Sequence, residues 1–291
     1  MISLALGLWW ALVSGCRPVL SPPGEAPDEE PREAYEALLR EVVTDDGYVD
    51  YAALRARRAP LDAYVAWIGT PKDGLPPGLN RHAHLLNAYN ALVLFSVLEH
   101  GTPASVSDVR GWIPVAGARF FYEEAFLLDG RATSLWEIEH ELLRFRVLDW
   151  RDHAALVCGH RSCPPLKPGL YLARGLGRQL DEQVTRWLAD ETRGLRVEDG
   201  TVAVSELFHT YAYDLTFQNG GATVCEVLAP YVSPIHAGAL RRLATKGCVL
   251  GHLPFDGRLN DAPGKAAPEG SGRGDGSAPE GDGDGTDEDT G

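Results

Sequence analysis

The stretch Asn80 to Glu99 constrains this chain most. It is a long run, far more apolar than the helices before it, that reads as a helix closed by Gly101 and Pro103. A helix apolar on all sides has to be buried, so other elements must cover it. Inside it lie Asn87 and Asn90. Asn is a poor helix-interior residue, and buried amides demand hydrogen-bond partners. The pair either orients a substrate carbonyl or a catalytic histidine, or clamps this helix to its neighbours.

Periodicity orders the elements around that helix. Tyr35, Leu38, Leu39 and Val42 form one helical stripe in Arg32 to Val43, and Leu54 to Ile68 reads as a second helix. Arg119 to Tyr122 and Ala125 to Leu128 read as strands, with Asp129-Gly130 as a hairpin turn. Ser134, with Glu137 three residues on, forms a capping box for a helix to Arg146 with the apolar stripe Leu135, Ile138, Leu142 and Phe145. Arg151 to Val157 reads as a buried strand leading into Cys158. A helix from Arg174 to Glu191, a hairpin around Asp199-Gly200, a short helix from Ser205 to Asp214 and two more helices between Ala222 and Ala244 follow. The expectation is α+β: a single, mostly helical domain over 32–261 with short antiparallel hairpins. The absence of βαβ alternation and of a Gly-rich phosphate loop argues against a nucleotide fold.

The two ends read differently. Residues 1–16 are an apolar run ending in Leu12-Val13-Ser14-Gly15-Cys16, which looks like a lipoprotein signal peptide with Cys16 as the lipidated residue, although no Lys or Arg precedes its core. A cleaved secretory signal or a buried helix is the alternative. Residues 17–31, rich in Pro, read as an extended tether. Residues 262–291 are Gly, Pro, Asp and Glu without an aromatic residue and read as a disordered acidic tail. The expected location is the bacterial cell envelope, facing the periplasm or the surface, with the membrane as partner through the anchor. With 41 acidic against 27 basic residues, a net charge of −14, the chain lacks the basic face that a nucleic-acid partner requires.

Chemistry concentrates in Arg151 to Pro165, which holds His153, Cys158, His160, Arg161 and Cys163. Cys158 and Cys163 suit a structural disulfide in an oxidising compartment, a zinc site completed by His140, His153 or His160, or a thiol catalyst with a histidine base. His140 lies on a polar helix face between Glu137 and Arg144, where a carboxylate would orient a base and where an ordinary solvated face looks the same. His209 to Asp214, with Tyr211 and Tyr213, lines a cleft or merely packs. Cys225 and Cys248 fill core or pair with each other.

Taken in order, these motifs resemble the uncharacterised family catalogued as domain-of-unknown-function family 547. The resemblance rests on Asn87-Ala88-Tyr89-Asn90-Ala91-Leu92, on Ser134 to Arg144, on Arg151 to Cys158, on Cys163-Pro164-Pro165-Leu166 with Tyr171, on Leu180-Asp181-Glu182, and on Val204 to Tyr211 with Asp214. It runs from Tyr48 to Asn260, with Leu85 and the segment Phe255 to Asn260 departing from the family pattern. The family implies no established activity. Its similarity to domains in reducing settings, beside glutaredoxin-like domains, weighs against a disulfide and toward thiol or metal chemistry.

The expected site joins Cys163 or Cys158 as nucleophile, His140 as base, Glu137 or Glu139 as its orienter, and the Asn87 and Asn90 amides as polarising groups. The substrate would be an acyl, peptide or thiol compound. His153, Arg151, Arg144, Tyr211 and Asp214 are expected around the site or on the substrate. If Arg151 to Val157 is a regular strand, His153 and Cys158 point to opposite faces. Zinc on Cys158, Cys163 and His140 is the cofactor alternative. A non-catalytic envelope module with a structural disulfide, or an interaction scaffold built on the face around Tyr211 and Tyr213, is the rival function.

Overall fold

Burial of Tyr35, Leu38, Leu39 and Val42 turns the predicted stripe into helix α1 (Arg32–Val42). The structure, a computed structural model, describes residues 17–71, 78–198 and 200–262. The leader with Cys16 and the tail from residue 263 onward lie outside the described residues, as does Asp199 in the predicted hairpin turn.

The predicted helix Leu54 to Ile68 is two helices, α2 (Tyr51–Ala56) and α3 (Ala59–Gly69). Pro60 explains the break: it lacks an N–H and is tolerated in a first turn, so it starts α3 rather than continuing α2. The long apolar run is α4 (Leu79–Glu99), in which every residue from His82 to Leu98 is buried. A first core cluster surrounds α4 and includes Tyr35, Tyr64, Phe95, Phe126, Leu135 and Ile138.

The start of the segment read as an extended tether is tied to the domain. Arg17 meets Glu137 at 2.6 Å, and β1 (Val19–Leu20) pairs parallel with β2 (Ala125–Leu128). Strand β2 also pairs antiparallel with β3 (Arg131–Thr133), the expected hairpin. The predicted strand Arg119 to Tyr122 is instead a π-helical turn, Arg119–Glu123. Its aromatic run fits either period, and burial of Phe120 decided between them. The buried Glu123 carboxylate accepts the amides of Trp112 and Ile113, which ties this turn to the preceding loop.

Ser134 and Glu137 make the predicted capping box, with reciprocal bonds of 2.7 and 3.2 Å. The helix it opens winds as a π-helix over Glu137–Arg144. The wider winding shifts the stripe, so Leu143 is buried and Phe145, predicted to face inward, is exposed. The predicted strand Arg151 to Val157 is the short helix α5 (Asp152–Ala155) followed by Leu156 in extended backbone. A short apolar run does not distinguish helix from strand by period, and the opposite-faces argument for His153 and Cys158 falls with the strand.

Helix α6 (Leu176–Leu188) leads to a second sheet, in which β4 (Leu195–Glu198) pairs antiparallel with β5 (Thr201–Val204). The single helix predicted from Ser205 is two, α7 (Glu206–Thr210) and α8 (Ala212–Gln218). Helices α9 (Val224–Leu228) and α10 (Pro234–Ala244) follow, and β6 (Gly251–His252) adds parallel to β5. These elements enclose a second core around Trp187, Phe208, Leu215 and Leu240. The architecture is α+β. Cys225 and Cys248 are joined as a disulfide within it, the pairing alternative of the two predicted.

Candidate functional site

A cleft of about 200 Å³ opens beside the buried helix α4. Tyr89 of α4, Phe121 and Tyr122 of the first π-turn, Trp136, Glu139 and His140 at the second, and His153, Leu156, Cys158, Leu207 and Tyr211 line it. Each element contributes for a local reason. The apolar helix α4 supplies a fixed floor, and the π-winding turns Glu139 and His140 toward the same side. The helical turn of α5 carries His153 and the exit from it carries Cys158, so both reach the cleft.

The polar groups form two linked sets. His153 Nε2 faces Asp214 Oδ2 at 3.0 Å, and its ring stacks on Tyr211 with 3.7 Å between centroids. Arg144 donates to both oxygens of Asp214, at 2.6 and 3.1 Å. Burial pushes the Asp214 carboxyl up, but the His153 and Arg144 hydrogen bonds outweigh it and hold it at about 2. Glu139 accepts from the Tyr211 hydroxyl at 2.6 Å and from Tyr89 at 3.3 Å. Burial, with this carboxylate beside them, pushes both phenols up. His140 stacks on Trp136 at 4.9 Å, and burial pushes its imidazole down, against the pull of Glu139, so it is neutral at pH 7.

Cys158 and Cys163 are joined as a disulfide, the state that the family resemblance weighed against. Cys158 meets the cleft, whereas Cys163 is only 1 % exposed. His160 Nδ1 lies 3.8 Å from Cys158 Sγ, and the His160 backbone N–H donates to Cys163 Sγ at 3.1 Å. His160 Nε2 meets Ser107 Oγ at 3.0 Å. Gly159, at φ +76°, has no room for a side chain: a Cβ there would lie 2.7 Å from Val106 Cγ1. The divergent segment Phe255 to Asn260 still packs on this loop, through the ring of Phe255 on His160 and the Asp256 amide on Ser162 Oγ.

The structure therefore brings Cys158, His140, Glu139, His153 and Tyr211 together, with Asp214 and Arg144 behind them. It separates the others. Glu137 binds Ser134 and Arg17, not the cleft. Asn90 spans the Ala155 carbonyl and the Val157 amide, and Asn87 spans the carbonyl and amide of Tyr171, so both asparagines are clamps. Arg151 clamps Asp149 and Asp181. Tyr213 is exposed and stacks on Phe217, so the face expected around Tyr211 and Tyr213 is divided. The grouped metal-ligand atoms, within 4.8 Å of one another, are those of Cys158, His160 and Cys163, not His140. Sequence reasoning missed Tyr89, Phe121, Tyr122 and Trp136 as cleft walls. The available signals were the place of Tyr89 between the two asparagines and that of Trp136 four residues before His140.

The family described as a protein of unknown function, DUF547, matches the chain over residues 78–188. That stretch is similar to DUF547. It carries the cleft from Tyr89 to Cys158 and the whole disulfide loop, while Leu207, Tyr211 and Asp214 come from beyond the DUF547 match. No curated protein and no solved structure matches the chain.

Proposed function

We propose that the cleft is the site of a cysteine-dependent enzyme whose Cys158 exchanges sulfur bonds with a thiol or disulfide substrate. The observation that carries this reading is the unequal exposure of one disulfide: Cys158 meets the cleft and Cys163 is buried. A substrate thiolate attacks Cys158 Sγ, the Cys158–Cys163 bond breaks, and Cys163 leaves as a thiolate that the His160 N–H stabilises. In the reverse direction Cys158 attacks a substrate disulfide after His160 Nδ1 takes its proton, and Cys163 resolves the mixed disulfide. Aromatic walls line the approach to Cys158, and neutral His140 is a proton acceptor for the substrate side. The test is trapping: C163S, whose Cys158 is a free thiol, should accumulate a mixed disulfide on Cys158 when given a disulfide substrate, with release of the substrate's other half as a thiol, visible by intact mass. Exchange no faster than that of a free peptide disulfide would sink the reading.

The second reading is a non-catalytic module, favoured by the presence of the two disulfides themselves. On that reading loss of Cys158 and Cys163 costs stability and nothing else.

We further propose that the chain is a lipid-anchored envelope protein carrying its acyl chains on Cys16. The apolar run before Cys16 supports this, as do two disulfides that suit an oxidising compartment. No helix among the described residues is long and apolar enough to cross a membrane. Growth with labelled palmitate would show the anchor, and an unlabelled full chain would remove it.

A further inference from the structure

We infer that the reduced form of the Cys158–Cys163 pair is a binding site for a thiophilic divalent cation of the zinc type, with His160 Nδ1 as its third ligand. The inference rests on the same reducible pair as the exchange reading. Sγ of Cys158, Sγ of Cys163 and a ring nitrogen of His160 lie within 4.8 Å of one another. Tetrahedral bonds of about 2.3 Å to sulfur and about 2.0 Å to nitrogen place those two ligand atoms roughly 3.5 Å apart. The separation of Nδ1 from Cys158 Sγ is 3.8 Å, so little movement brings the pair to ligand geometry.

Two further contacts suit a metal centre. Ser107 Oγ lies 3.0 Å from Nε2; when it accepts the Nε2 proton, Nδ1 keeps its lone pair, the orientation that outer contacts give metal-bound histidines. The His160 N–H that meets Cys163 Sγ at 3.1 Å stabilises a thiolate there. Reduction by a dithiol transfers two electrons and two protons, giving two thiols and the oxidised dithiol. The cation then displaces both thiol protons, and its charge matches the two thiolates. Cys158 is the ligand that meets the cleft, so a fourth ligand, water or a substrate thiol, comes from that side.

The experiment uses the full chain carrying C225A/C248A, which leaves Cys158–Cys163 as its one disulfide, reduced with a phosphine, and Co²⁺ alone as probe. One equivalent should bind with thiolate-to-cobalt charge-transfer absorption and tetrahedral d–d bands, and Zn²⁺ should displace it. C158S and C163S should abolish the charge-transfer band, S107A should weaken binding about tenfold, and H140A should leave the spectrum unchanged. The oxidised chain should give no band. Absence of the band in the reduced chain, or its survival in C158S, overturns the inference. Mixed-disulfide trapping in C163S reads exchange separately, so the two proposals fail independently.

Discussion

The ring of His153 lies on that of Tyr211 at 3.7 Å, so one residue from the DUF547 stretch is held in place by one from outside it. His153 is oriented from its edge by Asp214 and from its face by Tyr211. This contact joins α5 to the junction of α7 and α8.

Asp214 links that arrangement to pH. Its folded pKa of about 2 is below the ordinary value of 3.8, so it contributes stability above the unfolded value, and that contribution is lost as pH falls through about 2. After allowance for solvent screening the contribution is on the order of 1–2 kcal/mol. Urea unfolding of wild type and D214N at several pH values should show a constant gap above about pH 4 that narrows below it. A gap independent of pH down to the lowest value measured would contradict this.

His160, not His140, is in contact with Cys158. In the reduced chain H160A should therefore slow iodoacetamide alkylation of Cys158 several-fold at neutral pH, and more than H140A does. Peptide mass spectrometry after timed quenching reads the rates. Equal rates in H160A and wild type would remove His160 as proton acceptor.

The two disulfides should differ in what they hold together. They close loops with sequence separations of 5 and 23 residues, which the chain-entropy relation converts to roughly 2 and roughly 3 kcal/mol. C225A/C248A should lower the denaturation midpoint more than C158A/C163A, while leaving sulfur exchange intact. Loss of exchange in C225A/C248A would place that pair in the reaction.

Asn90 saturates one buried carbonyl and one buried amide. N90A leaves both without a partner, at about 1–3 kcal/mol each. Chemical denaturation should register a loss of about 2–5 kcal/mol with near-normal spectra. A neutral substitution would show that water replaces the carboxamide.

Much of the fold was legible in the residues. The stripe of α1, the apolar length of α4, the Ser134–Glu137 box and the hairpins are local patterns, and each stands where period and capping place it. The departures fall where one short apolar run fits two periods, at Arg119 to Tyr122 and Arg151 to Val157, and at Pro60, which starts a new helix within what reads as one.

The site was legible by residue type and less so by role. Sequence alone marks Cys158, Cys163, His140, His153 and Asn90 as unusual, because thiols, imidazoles and amides in apolar settings need partners. Which partner each has depends on contacts across the chain. Asn90 meets Ala155 and Val157, His153 meets Tyr211 and Asp214, and Glu137 meets Arg17 rather than His140. Local sequence determines period, capping and polarity because those interactions reach only a few residues. The pairing of thiols and the orientation of imidazoles are decided by packing between distant segments, which only the tertiary structure brings together.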